Sequence, residues 1–288
     1  MYLCIVFNSR KMYRDKIKKL IQWKISSNRK PLIVLGARQV GKTWLIQEFG
    51  KQEYRQTVYV NFEKMKHVRT IFEEDFDIQR ILSSLSIFAR NAINPDNTLI
   101  VFDEIQAAVG GLTALKYFYE DAPQYHVIAA GSLLGMNLHQ NVSFPVGKVD
   151  FLYLKPLSFI EFLKAFDEEG LADLLENPDW KIVAVFKEKL VTYLRYYLFL
   201  GGMPEVVSQF VEHRDFRSTR LLQRNILTSY QNDFSKHAPK EIVPRINMVW
   251  KSIPSQLSKE NKKFIYGIIK EGARAKEFEL AIQWLLDC

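Results

Sequence analysis

Residues 36–43 read GARQVGKT and directly follow the short apolar run PLIVL. This stretch satisfies the pattern G-x-x-x-x-G-K-[ST] at every defined position. Glycines let the backbone curve closely around an anion, so that successive N–H groups point inward at it. Such a loop requires a strand before it and a helix after it, which constrains the fold more than any other feature. The sequence meets this requirement, because PLIVL has the length of a buried strand and KTWLIQEFG continues as a helix.

Short apolar runs alternate with helical patterns over the first half of the chain. Five runs predict buried strands at residues 31–35, 57–62, 98–104, 125–132 and 149–154. Strands that alternate with helices favour a mostly parallel sheet with helices on both faces. We therefore predict an α/β fold in which a three-layer P-loop NTPase core, of the AAA/ASCE type, covers residues 29–157.

The pattern changes after Pro156, and only helical signals follow. Ser158 and Glu161 have the spacing of a capping box, which predicts that a helix begins there. Residues 180–200 form one long amphipathic pattern and predict a single helix. We expect an all-helical lid over residues 158–235.

Residues 236–288 contain three short helical patterns, which Pro254 and Gly272 separate. This region resembles a winged-helix module whose wing is cut short. Arg274 and Lys276 would lie at the start of its recognition helix, where such helices touch DNA. The alternative is that these helices pack against the core or against a partner.

The formal net charge is +8, and its distribution is uneven. The first 30 residues contain nine Lys or Arg and one Asp, and residues 236–288 contain ten Lys or Arg against six acidic residues. Basic chain ends favour contact with nucleic acid or an anionic surface, and solvated helix faces are the alternative. Residues 1–28 are predicted to form a basic helical segment. Within it, we interpret residues 1–11, before Met12, as an upstream extension or a short added strand.

Composition argues against several classes of protein. The two cysteines, Cys4 and Cys288, lie at opposite ends and form neither a disulfide framework nor a metal-site spacing, which fits a reducing compartment. The five histidines show no ligand spacing either. No apolar run approaches the roughly 20 residues that span a bilayer, and the N-terminus is a poor signal peptide. We expect a cytoplasmic protein without a membrane partner.

The loop and a later strand end carry the residue types of nucleotide chemistry. Lys42 would reach the β- and γ-phosphates of a nucleotide, and the Thr43 hydroxyl would bind Mg²⁺. The strand TLIVFDE ends in Asp103 and Glu104. Asp103 is placed to hold Mg²⁺ through water, and Glu104 to orient and polarise the water that attacks the γ-phosphate. A strand that merely runs into a polar turn is the alternative.

ATP is the nucleotide that the motifs favour. A strand that ends in Asp-Glu indicates ATP hydrolysis of the AAA/RecA type. A GTPase would need D-x-x-G after a strand and an N-K-x-D guanine reader. DEEG at residues 167–170 matches the first by letters only, and the chain contains no N-K-x-D.

The predicted nucleotide-binding residues are Gly36, Ala37, Arg38, Gln39, Val40, Gly41, Lys42, Thr43 and Trp44. Arg38 would contact a phosphate or form a structural salt bridge. Ser132 ends the strand expected beside that of Asp103, and it would sense the γ-phosphate or be an ordinary loop serine. With Glu104 and Lys42, it completes the set of catalytic candidates. Lys148 would be a trans-acting cation that stabilises phosphate charge, or a surface lysine.

Several motifs together resemble a known group, the bacterial and archaeal AAA-type ATPases that carry a C-terminal "domain of unknown function 4143". In chain order the motifs are NRKPLIVLGARQVGKTWLIQEFG, LIVFDEIQ, VIAAGSLLG, SFPVGKVDFLYLKPLSFIEFL, GGMPEVV and YQNDFSKHAP. The resemblance extends from about Met12 to the end of the chain. The P-loop is generic, whereas GSLLG, PLSFIEFL and GGMPEVV in this order are much more specific.

The resemblance implies the same nucleotide, Mg²⁺, water and sensor roles for the residues named above. Position 148 departs from the group, because many relatives have Arg there and Lys cannot make a bidentate contact. Relatives continue past the segment AIQWLLDC into a domain that resembles restriction endonucleases. The resemblance therefore implies that this chain is truncated and that residues 236–288 begin an incomplete domain of unknown function.

The sequence thus predicts an ATP-binding protein, an AAA-type hydrolase that uses Mg²⁺ and ATP to drive conformational change. One alternative is a nucleotide-gated interaction protein with little turnover. Another is a DNA-binding module in which the ATPase is vestigial. The partners considered are ATP, DNA through the basic C-terminal helices, and further copies of the chain.

Overall fold

The computed structural model describes residues 12–131, 145, 147–260 and 263–286. These residues fall into two compact units, which divide between residues 220 and 221. Each unit has a buried core of its own. The first unit contains the β-sheet, and the described residues of the second are helical or irregular.

The sheet consists of five parallel strands, β1 (Leu32–Leu35), β2 (Gln56–Asn61), β3 (Thr98–Asp103), β4 (His126–Ala130) and β5 (Asp150–Tyr153). Their order across the sheet is β2-β3-β4-β1-β5. Strand β1 leads into the loop GARQVGKT, and only β4 separates it from β3. The predicted parallel α/β architecture is therefore confirmed, and the fold is that of a P-loop NTPase.

Helices flank this sheet and continue beyond it. They are α1 (Lys16–Ile25), α2 (Lys42–Glu53), α3 (Ile78–Ala89), α4 (Gly111–Asp121), α5 (Phe159–Ala165), α6 (Glu169–Glu176), α7 (Trp180–Val185), α8 (Lys187–Leu200) and α9 (Pro204–His213). Short 3₁₀ segments at Lys66–Phe72 and Ile105–Ala107 follow β2 and β3.

Burial explains why the central elements form. Every residue of β1 and β3 is buried, as expected for strands that have neighbours on both sides and helices on both faces. Helix α2 packs Leu45, Ile46 and Phe49 into the same core. Their spacing places them on one face of the helix.

Arg14 attaches the N-terminal segment to the core. Its guanidinium is buried, lies 3.2 Å from the carboxylate of Glu161, and donates to the carbonyl oxygens of Val40 and Lys155 at 3.1 and 2.5 Å. Glu161 also completes a capping box with Ser158, which confirms the predicted start of α5. Arg14 is therefore an exception to the expectation that basic residues near the N-terminus face solvent or an anionic partner.

The prediction of a single helix over residues 180–200 is wrong, because the chain forms two helices that meet at Phe186. Helix α7 ends where the Phe186 N–H bonds back to the carbonyl oxygens of Ile182 and Ala184. Helix α8 begins as the N–H of Leu190 donates to the Phe186 carbonyl at 2.9 Å. Neither Gly nor Pro marks this break, so the amphipathic pattern runs across it.

A main-chain contact joins the helices after α7 to the end of the sheet. Gly202 follows α8, and its carbonyl oxygen accepts a hydrogen bond from the N–H of Leu157 at 2.7 Å. The hydroxyl of Tyr197 donates to the Leu157 carbonyl, also at 2.7 Å. A Cβ at position 202 would overlap that carbonyl oxygen. The segment GGMPEVV therefore needs a glycine here because two backbones approach each other closely.

In the second unit, α11 (Val243–Leu257) and α12 (Ala275–Leu286) pack around buried Phe234, Ile246 and Phe278. A 3₁₀ segment at Tyr266–Ile268 lies between these two helices. Helix α10 (Phe216–His237) contains the boundary between the units. Within the described residues, no helix combines the length and the apolar character needed to cross a bilayer.

The sequence predicted that Pro254 separates two helices, but Pro254 lies inside α11. It occupies the last turn of that helix. Its missing N–H therefore removes only the bond that would reach the carbonyl of Trp250. Gly272 has φ +73° and precedes α12, in agreement with the predicted break at that position.

We predict that Gly202→Ala lowers the free energy of unfolding by about 1–3 kcal/mol, the usual cost of forcing atoms into a closed space. Urea denaturation measures this difference. Gly170→Ala is the matched control, because a Cβ at Gly170 would meet nothing within 4 Å. Equal stabilities of the two variants would show that the contact with Leu157 is not tight.

Candidate functional site

The loop between β1 and α2 has the backbone form that its glycines require. Gly36 lies so close to the end of β5 that a Cβ there would overlap the Leu154 carbonyl oxygen. Gly41 has φ +90°, a left-handed conformation that glycine adopts freely, and it is the N-cap of α2. The amino end of α2 continues directly from the loop. Its partial positive charge favours an anion at this point.

Lys42, the first residue of α2, is buried beneath the loop. Its ammonium group donates to the carbonyl oxygens of Gly36 and Ala37 at 2.8 and 2.9 Å. Burial lowers the pKa of this amine, while the nearby carboxylates of Glu104 and Asp103 act in the opposite direction. The loop thus encloses a cation that has two carboxylates in its vicinity.

Asp103 ends β3, and its side chain is buried at 4% exposure. One carboxylate oxygen accepts hydrogen bonds from the hydroxyl of Thr43 at 3.1 Å, from the amide of Asn61 at 3.3 Å and from the hydroxyl of Tyr59. The other oxygen accepts the N–H of Glu104 at 3.1 Å. These four donors offset the cost of burying a charged group.

Tyr59 and Asn61 are site residues that the sequence analysis missed. They lie two positions apart on β2 and so share a face, and Asn61 is directly paired with Asp103 in the parallel register. The polar tip of the run TVYVNF was the available signal, but local sequence does not reveal which strand lies beside it. Burial, helped by the hydrogen bond to Asp103, raises the pKa of Tyr59 to about 12. Its phenol is therefore a donor at neutral pH.

Glu104 stands just beyond β3 in a left-handed conformation with φ +51°. A non-glycine residue in this region is uncommon, and such backbone strain is concentrated at functional sites. The Glu104 carboxylate accepts a hydrogen bond from the side-chain amide of Gln106 at 2.5 Å. Gln106 was not among the predicted site residues, although it belongs to the motif LIVFDEIQ.

Three cavities adjoin one another around Trp44. The loop cavity, of about 330 Å³, is lined by Arg38, Gln39, Gly41, Lys42, Thr43, Trp44, Glu63, Glu104 and Glu205. The middle cavity, of about 240 Å³, is lined by Met12, Arg14, Gln39, Gly41, Trp44, Pro204, Glu205 and Ser208. The outer cavity, of about 550 Å³, lies among α1, α2, α5 and α9. Neighbouring cavities share lining residues, and Trp44 lines all three.

The oxygen atoms beside the loop suit a hard divalent cation. The hydroxyl of Thr43 and the carboxylate of Asp103 are 3.1 Å apart, and Mg²⁺ prefers such oxygens together with phosphates and water. In the described part of the chain, no three His, Cys, Asp or Glu side chains come together as a metal site. Mg²⁺ at this position would therefore need further oxygens from a phosphate ligand or from water.

Lys148 lies at the opposite edge of the sheet from the loop. It precedes β5, and Asp150 at the start of β5 pairs with Leu32 at the start of β1, whereas the loop follows the end of β1. Its ammonium forms an ion pair with Glu120 at 3.0 Å. Lys148 therefore does not approach the loop of its own chain, and its role in trans stays a prediction.

The other predicted residues are not tested by this geometry. Ser132 lies outside the described residues, although β4, the strand before it, does pair with β3 as expected. Arg274 and Lys276 are exposed at the start of α12. The described part of residues 236–288 contains helices and no strand. The winged-helix-like assignment and the contact with DNA both stay predictions.

Two family models match the chain. A model described as AAA domain matches residues 28–163, which contain the whole sheet and the loop. A model described as domain of unknown function (DUF8612) matches residues 191–288. The first match, together with the loop and Asp103, supports an AAA-type P-loop ATPase. The second corrects the expected C-terminal domain of unknown function 4143, because the family that matches is a different one.

Solved structures with a related chain path include the ORC1 protein of Aeropyrum pernix in complex with DNA, at 15% identity and a TM-score of 0.39 over 94% of this chain and 81% of that one. AMPPCP-bound DnaA from Aquifex aeolicus is 14% identical, with a TM-score of 0.41 over 94% of this chain and 86% of that one. Drosophila ORC bound to DNA is 16% identical, with a TM-score of 0.39 over 86% of this chain and 68% of that one. Comparison with curated proteins gave no match. The fold assignment rests on the strand order and the loop of this chain.

We predict that Tyr59→Phe lowers the free energy of unfolding by about 1–2 kcal/mol, because the buried Asp103 carboxylate loses one donor. Tyr153→Phe is the control, since its ring is 53% exposed on the edge strand β5. Chemical denaturation of both variants at pH 7 measures the difference. A Tyr59→Phe variant as stable as the control would show that the remaining three donors suffice.

Proposed function

We propose that this chain binds ATP with Mg²⁺ in the loop cavity and hydrolyses it, acting as an AAA-type ATPase. One observation carries the proposal: the hydroxyl of Thr43 at the start of α2 donates to the buried carboxylate of Asp103 at the end of β3. A phosphate-binding loop and a metal-binding carboxylate therefore meet at one edge of the sheet. A glycine-rich turn with no ligand would not need a buried carboxylate beside it.

The adjoining cavities support one orientation of the nucleotide. The phosphates would occupy the loop cavity, where Lys42, the loop N–H groups and the amino end of α2 favour negative charge. The nucleoside would extend past Trp44 into the middle cavity, which Pro204 and Ser208 also line. Arg38 lines the loop cavity, which supports contact with a phosphate.

The carboxylate of Glu104 would act as the base for hydrolysis. It would accept a proton from water as the water oxygen forms a bond to the γ-phosphorus. The bond between that phosphorus and the bridging oxygen of the β-phosphate then breaks, and ADP leaves with the electron pair. Lys42 would stabilise the charge that develops on the β- and γ-oxygens.

Thr43 and Asp103 would hold Mg²⁺, the latter through water. When bound, the metal neutralises charge on the phosphate oxygens. The Thr43 oxygen would bind the metal through a lone pair, while its proton remains available to Asp103. Tyr59 and Asn61 would continue to fix the carboxylate.

The segment GGMPEVV supports a link between nucleotide binding and the lid. The ring of Pro204 lies 3.7 Å from the point where a Cβ of Gly41 would be. Glu205, the next residue, lines both the loop cavity and the middle cavity. A nucleotide that fills these cavities would therefore contact α9 directly, which is how ATP would drive a conformational change.

A nucleotide-gated interaction protein with little turnover is the second candidate function. The hydrogen bond from Gln106 to Glu104 favours it, because a base engaged by a neighbouring amide is less free to accept a proton from water. Contact with DNA through Arg274 and Lys276, and assembly of several copies that brings Lys148 to a neighbour's nucleotide, are further proposals for either case.

We predict that Lys42→Ala abolishes ATP binding, whereas Glu104→Gln retains binding and slows hydrolysis by about 100-fold or more. Titration with ATP and Mg²⁺ measures binding, and single-turnover hydrolysis measures the chemical step. Glu73→Gln, a substitution at an exposed position, is the control for the change of charge. Substantial hydrolysis by Glu104→Gln at the parental rate would make the assignment of the base wrong. Equally low turnover by the parental chain and by Glu104→Gln would favour the second candidate function.

A further inference from the structure

We propose that Glu205 binds the ribose hydroxyls of the nucleotide, so that the site selects ribonucleotides over deoxynucleotides. The inference rests on the proposed ATP site. It adds the residue that recognises the sugar and places that residue on the lid.

Glu205 lies where two cavities meet. It is the second residue of α9 and lines both the loop cavity and the middle cavity. The sugar of a nucleotide lies between its phosphates and its base. With the phosphates beside Lys42 and the base beyond Trp44, the sugar falls at this junction, next to the Glu205 carboxylate.

The carboxylate of Glu205 is available to a ligand, while its backbone is held firmly. The residue is exposed, and within the described residues no hydrogen bond or ion pair engages its side chain. Helix α9 begins at Pro204, and the buried Val206 and Val207 anchor its first turn. The backbone of Glu205 is thus fixed on a helix, and in the described part of the chain its carboxylate has no competing partner.

The chemistry of a carboxylate favours the sugar over the other parts of a nucleotide. It repels phosphates, whereas its two acceptor oxygens match the two hydroxyl donors of ribose. Carboxylates hold ribose hydroxyls in this way in dinucleotide-binding folds. Ser208 lies three residues later, on the same face of α9, and adds a hydroxyl to the middle cavity.

Across the residues that the structure describes, no neighbouring cation forms an ion pair with the carboxylate of Glu205. Arg14 also lines the middle cavity, but its guanidinium is paired with Glu161 and donates to the carbonyl oxygens of Val40 and Lys155. Arg14 is therefore already paired with a different carboxylate. Lys42 likewise donates to the loop carbonyls.

The test is equilibrium binding of ATP, 2′-deoxyATP, 3′-deoxyATP and 2′,3′-dideoxyATP, each with Mg²⁺, to the full chain. We expect the parental chain to bind ATP about tenfold more tightly than the dideoxy analogue, as the loss of a charge-assisted hydrogen bond implies. Glu205→Gln should remove most of the difference in affinity between ATP and the dideoxy analogue, because Gln lacks the charge and one of the two acceptor oxygens. The control is Glu212→Gln on the same helix, at a side chain that is 53% exposed and outside the cavities. It should keep the preference for ATP.

The possible failures differ from one another. Equal affinity of the parental chain for ATP and the dideoxy analogue would overturn the ribose contact and leave the ATP site intact. Tighter binding of all four nucleotides by Glu205→Gln with the preference for ATP unchanged would also overturn it, because the carboxylate would then act only by repelling phosphates. Failure of the parental chain to bind any of the four would overturn the proposed ATP site as well.

Discussion

The buried carboxylate of Asp103 sets conditions that the elements around it have to satisfy. A charge removed from water destabilises a fold unless donors surround it, and here the donors come from three elements. Thr43 lies on α2, Tyr59 and Asn61 lie on β2, and the N–H of Glu104 follows β3. The same bonds that stabilise the carboxylate therefore fix α2 and β2 against the end of β3. The stability of the sheet and the geometry of the site therefore have a common origin.

Other parts of the chain also contact the backbone of the phosphate-binding loop and restrain it. Arg14 donates to the carbonyl of Val40 within the loop, the end of β5 packs against Gly36, and Pro204 approaches Gly41. The N-terminal segment, the residue after β5 and the start of α9 each contribute one of these contacts. A loop restrained in this way loses little conformational freedom when it binds an anion, because much of the ordering has already taken place during folding.

The sequence predicted those features that depend on local pattern. The parallel strands, the loop and the carboxylates at the end of β3 all follow from short apolar runs and fixed spacings. Tyr59, Asn61 and Glu205 were missed because their importance depends on which elements become neighbours. The order of strands and the return of the chain at α9 decide that, and neither is encoded in a local motif. The break at Phe186 and the helix that continues through Pro254 show that packing overrides local signals in both directions.

The contact between Gly202 and Leu157 has an evolutionary consequence. Most packed pairs of residues can drift together, since a larger side chain on one partner is compensated by a smaller one on the other. Here the partner of position 202 is a main-chain carbonyl, which every amino acid possesses, so no substitution at position 157 makes room for a Cβ. Position 202 therefore cannot be rescued by a second change at residue 157.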